Sequence, residues 1–159
     1  MTPLTQVGML VINTLVGLYL LVVILRFLLQ LVRADFYNPI SQFIVKATNP
    51  PLIPLRKVIP GFGGIDIASL TLALLVQIIA IVLILLLNGI QPPPLEVVMW
   101  SAIGIISLVL KVYFWGLLIT VIASWIAPNS YNPALILINQ ILEPAIKPIR
   151  KLMPDMGGI

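Results

Sequence analysis

Tyr131 stands 94 residues after Tyr37, and the same offset links a long series of further pairs. Asn38-Pro39 returns as Asn132-Pro133, Pro50 as Pro144, Pro54 as Pro148, Arg56-Lys57 as Arg150-Lys151, and Gly63-Gly64-Ile65 as Gly157-Gly158-Ile159. The copies align without a gap. A fixed period sets the number of structural units before any local assignment is made. Each unit here is one apolar run followed by one proline-rich basic segment, so the chain must build the same device twice.

The apolar runs occupy residues 7–29, 67–87 and 97–127. Each is long enough for an α-helix to cross a hydrocarbon layer of about 30 Å. Composition agrees: 60% of the 159 residues are hydrophobic and 9% are charged. A soluble domain of this size exposes too much of its chain to hide such a load. The run beginning at Val7 is too long for a signal-peptide core, and it reads as a retained span. The fold class expected is an all-α membrane protein of tandem parallel repeats.

The first unit covers 1–65, with its span at 7–29, an interfacial helix at 39–48 and a basic hook at 49–65. Residues 66–96 form the second span and a turn outside the membrane. The second unit covers 97–159, with a span at 97–127, an interfacial helix at 133–142 and a hook at 143–159. Asn38 and Asn132 are N-cap residues, with Pro39 and Pro133 at the first helical position. Ile40, Phe43, Ile44 and Ala47 share one helical face, as do Ala134, Leu137, Ile138 and Ile141. Asn49-Pro50-Pro51 is expected to end the first interfacial helix, because a residue before proline is pushed out of the α region. Pro50, Pro54, Pro144 and Pro148 then stiffen the hooks. Asp66 is placed to cap the second span.

Arg33, Lys46, Arg56 and Lys57 lie in one connection, and Lys147, Arg150 and Lys151 in the tail. The turn near Pro92-Pro93-Pro94 carries Glu96 and no cation. The positive-inside rule puts both basic segments in the cytoplasm and the N-terminus outside. The net charge of +4 then serves topology and anionic headgroups, with no direct contact to nucleic acid expected. Arg56, Lys57, Lys147, Arg150 and Lys151 are the candidate contacts for anionic lipid, or for a protein partner docking on the same surface. Ile65 leads into Asp66 and a full span, whereas its counterpart Ile159 leads into nothing in this sequence. A fourth span is therefore expected to be missing.

Arg26, Gln77 and Lys111 stand out among the polar residues within the spans. Arg26 either snorkels to the interface or pairs, Asp35 and Asp66 being its partners by depth. Lys111 falls at mid-bilayer on one face with Gly104 and Ser107, and Gln77 is the group expected to reach it. That pair suits burial against a partner helix, or a site on an ion or solute path. Gly116, Thr120 and Ser124 make a small-residue ridge for helix packing. Trp100 and Trp125 are spaced to sit near the two interfaces. Cysteine and histidine are absent. Disulfides, the usual zinc sites, His- or Cys-ligated haem and catalysis by either residue are thereby excluded. No carboxylate pair or nucleophile–base arrangement shares a depth, so no catalytic, cofactor or metal site is expected and the chain does not read as an enzyme.

The duplicated Asn-Pro…Pro-x-x-x-Pro-x-Arg-Lys-x-x-Pro-x-x-Gly-Gly-Ile segment, together with Arg26, Asp35-Phe36-Tyr37 and Ser124-Trp125, resembles the YggT family, called YlmG in photosynthetic lineages. The resemblance spans essentially the whole chain. It implies a small protein of the bacterial inner membrane. It also implies roles in osmotic-stress tolerance, in division and nucleoid distribution and, in chloroplasts, in haem attachment to a cytochrome. Roles this varied suit a scaffold or assembly factor, working as a homo-oligomer or as a subunit of a larger membrane complex. The alternative is an oligomeric channel or transport subunit using Lys111 and Gln77.

Overall fold

The computed structural model describes residues 3–127 and 131–152. They form five helices: α1 Pro3–Leu31, α2 Pro39–Val58, α3 Ile67–Leu87, α4 Pro94–Ile126 and α5 Pro133–Leu152. No strand occurs among the described residues; an isolated bridge between Phe62 and Ile65 closes the turn that leads into α3. α1, α3 and α4 are long and apolar enough to cross a membrane. Their bounds follow the expected spans, with α3 covering 67–87 as read from the sequence.

Helix ends follow local chemistry. The Asn38 side chain accepts a hydrogen bond from the Ile40 amide at 2.9 Å, and Asn132 does the same for Ala134 at 2.9 Å. α3 stops where Gly89 enters the left-handed region at φ 71°. There the Gly89 amide bonds the Leu86 carbonyl and the Ile90 amide bonds that of Leu85, which satisfies two end carbonyls. α1 ends in the same motif with Arg33, at φ 52°, in place of glycine.

Both proline-rich segments depart from expectation. α2 does not end at Asn49: it runs through Pro50, Pro51 and Pro54 to Val58. α5 likewise runs through Pro144 and Pro148. The hooks expected at 49–65 and from 143 onward are thus helical in their basic parts; residues 153–159 lie outside those described. Each internal proline removes one amide donor and pushes its predecessor away from helical geometry. Tertiary packing outweighs that preference, because Ser41, Ile44, Thr48 and Leu52 form a continuous buried stripe along α2. Of the apolar face Ile40, Phe43, Ile44 and Ala47, only Ile44 is buried, and Phe43 points outward. In α5, Leu137 and Ile141 of the corresponding face are buried, joined by Leu142.

The core lies around the last third of α1. Leu20, Val23, Ile24, Leu28 and Leu29 meet Ile44 and Leu52 of α2, Leu72 and Ala73 of α3, and Leu137 and Ile141 of α5. α1 packs most extensively against α3, while α4 buries only Val97, Ser101 and Gly116. Apolar helices gain little from leaving lipid for one another, so close packing and polar contacts must hold the spans together. Gly116 supplies one such approach. A Cβ there would stand 3.4 Å from the tips of Ile138 and Leu142.

Candidate functional site

α2 packs against α1 and α3, and α5 against α4 and α1, so the two basic segments end beside different helices. The two copies behave differently.

In the first copy the polar groups are spent on one another. Arg26 is buried, and its Nη1 donates to the Val45 carbonyl at 3.0 Å, Thr48 Oγ1 at 2.7 Å and Asn49 Oδ1 at 2.8 Å. Three acceptors thus share the two hydrogens of one nitrogen. All of them are neutral, and neither expected carboxylate is involved. Asp35 caps the Tyr37 amide, and Asp66 belongs to a separate network. The Arg26 charge is stabilised by oriented dipoles on the proline-rich stretch of α2, which pins that stretch to α1.

Asp66 is the N-cap of α3. Its carboxylate accepts from the Ser69 amide and hydroxyl and from Arg56 Nη2. Arg56 also donates to Gln30 Oε1 at 2.9 Å. One guanidinium therefore ties α2 to α1 and to α3. Burial pushes the Asp66 carboxyl up, but the hydrogen bonds from Arg56 and Ser69 outweigh it and hold it below the usual carboxylate range. Arg56, expected as a lipid or partner contact, is thus ion-paired within the molecule while its side chain stays 37% exposed, and Lys57 beside it is exposed.

The second copy is open. Thr120 stands 94 residues after Arg26, and Asn139 stands 94 after Val45. Here too they meet: the Thr120 hydroxyl donates to the Gly116 carbonyl at 2.9 Å and approaches Asn139 Oδ1 at 3.4 Å. A small hydroxyl in place of a long cation leaves space. A cavity of about 720 Å³ lies between α4 and α5, and Thr120, Asn139, Glu143, Lys147, Arg150 and Lys151 line it. Lys147, Arg150 and Lys151 are exposed and make no ion pair among the described residues. Three cations against the one carboxylate of Glu143, with a hydroxyl and an amide beside them, leave a net positive lining that suits an anionic oxygen-rich group such as a phosphate.

The remaining candidates are dispersed. Gln77 lies over Gly104, where a Cβ would come within 3.0 Å of its Nε2, and it makes no hydrogen bond with Lys111. Lys111 is exposed on the outer side of α4. Asn38 does more than cap, since its Nδ2 donates to the Pro133 carbonyl at 2.9 Å and joins the starts of α2 and α5. Thr48, Gln30 and Asn139 were not singled out from the sequence, and Asn49 only as a helix stop. A polar Thr48-Asn49 pair one turn beyond Ile44, on a helix packing against a buried arginine, was the available signal. Among the described residues no cluster of His, Cys, Asp or Glu could hold a metal ion.

The family model described as CCB3/YggT matches residues 5–87 and 99–159, two segments whose starts are 94 residues apart. An uncharacterized protein of Pseudomonas aeruginosa is 55% identical over 161 aligned positions, covering 100% of this chain and 82% of its own length. A Vibrio alginolyticus protein encoded in the proC 3′ region is 41% identical, covering 93% of this chain and 80% of its own. The protein named YggT in Escherichia coli K12 is 38% identical over 150 positions, covering 92% of this chain and 76% of its own. No solved structure matches the chain.

Proposed function

Because the chain belongs to the CCB3/YggT family, we propose that it is a non-enzymatic scaffold of the bacterial inner membrane. Its basic segments lie at the cytoplasmic face, where they hold anionic lipid and a protein partner. The observation that carries this reading is the asymmetry between the copies. Arg56 is consumed by Asp66 and Gln30, while Lys147, Arg150 and Lys151 stand unpaired around an open cavity. Cations kept at one height by helices pinned to the bundle form a surface for phosphates rather than a reaction centre. The roles implied by the resemblance, in osmotic-stress tolerance and division, suit such an organising element.

Native mass spectrometry in mild detergent tests the lipid half of this reading. Phosphatidylglycerol should form adducts in preference to phosphatidylcholine, and Lys147→Gln with Lys151→Gln should reduce them several-fold. Equal adducts from both lipids, or no effect of the double substitution, would overturn it. The channel reading has less support, since Lys111 and Gln77 face different surroundings.

A further inference from the structure

α2 lies across one end of the bundle. Its N-cap, Asn38, is bonded to the Pro133 carbonyl, a short way beyond the end of α4. Its middle, at Val45, Thr48 and Asn49, holds Arg26. Its last turn, at Arg56, reaches Gln30 near the end of α1 and Asp66 at the start of α3. Both ends of a helix about 30 Å long therefore meet the same end of the three spans, which lays α2 in the plane of the membrane surface. α1 and α3 both pack against it, so whatever α2 exposes is exposed with the helices before and after it in place.

Around its axis α2 presents distinct sides. Ser41, Ile44, Thr48 and Leu52 face the bundle. About a third of a turn away, Ile40, Phe43, Ala47, Pro54 and Val58 fall on one line at helical spacing, and all are exposed. Phe43 is 65% and Val58 78% exposed. Across the helix from that stripe lie the polar residues Gln42, Asn49 and Arg56. Lys46 and Lys57, about three turns apart, point away from the bundle and are exposed. The second copy treats the same line differently. Leu137 and Ile141, the counterparts of Phe43 and Ala47, are each 4% exposed and belong to the core. α5 buries the stripe, and α2 leaves it open.

We propose that this stripe is a membrane-inserting surface, with Ile40, Phe43, Ala47, Pro54 and Val58 among the acyl chains of one leaflet and Lys46 and Lys57 level with its phosphates. Lipid is the occupant for two reasons. The stripe lies beside spans whose outer sides, Leu15 and Leu18 among them, are themselves apolar and exposed. A line of cations also runs alongside it, as on helices that lie in an interface. Such helices seat their apolar side about 5–10 Å into the headgroup boundary, and lysine stems are long enough to reach back to the phosphates. The inference deepens the scaffold reading and rests on it only in taking this end of the bundle to meet the cytoplasmic leaflet. Acyl chains hold α2, whereas the adduct experiment concerns headgroup charge at Lys147 and Lys151, so either can fail without the other.

The absence of cysteine from the chain makes the test direct, since a single nitroxide reports each side of α2. Phe43→Cys and Val58→Cys are spin-labelled in the full-length protein, reconstituted in vesicles of phosphatidylethanolamine and phosphatidylglycerol. Leu15→Cys on the exposed side of α1 is the lipid-facing reference, and Lys57→Cys the interfacial one. Accessibility to oxygen at 43 and 58 should match that at 15, while accessibility to a water-soluble nickel chelate should be several-fold below that at 57. The contrast should persist in phosphatidylcholine vesicles, because the stripe meets acyl chains and not headgroup charge. Three results would overturn the proposal. Nickel accessibility at 43 and 58 equal to that at 57 would put the stripe in water. Low accessibility to both reagents would put a second copy or another protein on it. A contrast that vanishes in phosphatidylcholine would assign the contact to headgroups.

Discussion

Two arginines show how far a single side chain is set by its surroundings. Arg33 occupies the left-handed position that ends α1. An L-residue there is disfavoured by about 1–2 kcal/mol relative to its usual conformations, and glycine escapes most of that penalty. Arg33→Gly should therefore stabilise the protein by up to about 1 kcal/mol in a detergent unfolding titration. Arg26 is the opposite case, a buried cation held by three neutral acceptors of α2. Hydrogen bonds to charged groups contribute about 1.5–3 kcal/mol, and removing one partner leaves the others short of a donor. Arg26→Leu should cost roughly 2–4 kcal/mol, with faster hydrogen exchange concentrated in residues 45–52 of α2. The need to satisfy Arg26 was legible in the sequence. Its partners were not, because the choice between a carboxylate and a kinked helix depends on how α2 is rotated.

Among the elements, the close approach of α4 and α5 at Gly116 is sensitive to volume. Gly116→Ala places its Cβ in contact with flexible side-chain tips and should be tolerated. Gly116→Val overpacks the crossing, which typically costs about 1–3 kcal/mol, and should raise hydrogen exchange along α5 while leaving α2 unchanged. The junction of α2 and α3 should respond to acid. Asp66 titrates lower in the folded protein than in the unfolded chain. Its contribution is therefore present above the ordinary carboxylate pKa of about 4, and it is lost as pH falls through the lower folded value. Limited proteolysis of residues 59–66 should accelerate over that window, and Asp66→Asn should remove the pH dependence. The spans, the Asn-Pro helix starts and the Asp66 cap were readable from local sequence. The continuation of α2 through three prolines was not, since proline statistics describe isolated segments and the buried stripe from Ser41 to Leu52 is made by the bundle.

At the scale of the whole molecule, the duplication identifies what each copy shares, and the packing shows what each does with it. One copy closes on α3 and pairs its arginine with Asp66; the other presents a cationic rim. That division of labour depends on both basic segments lying at the cytoplasmic surface, and impermeant thiol labelling of single-cysteine variants in intact cells tests it most directly. Lys57→Cys and Lys151→Cys should both resist labelling until the inner membrane is opened, while Glu96→Cys should react from outside. Labelling of either lysine position in intact cells, or opposite accessibility of the two, would contradict the account.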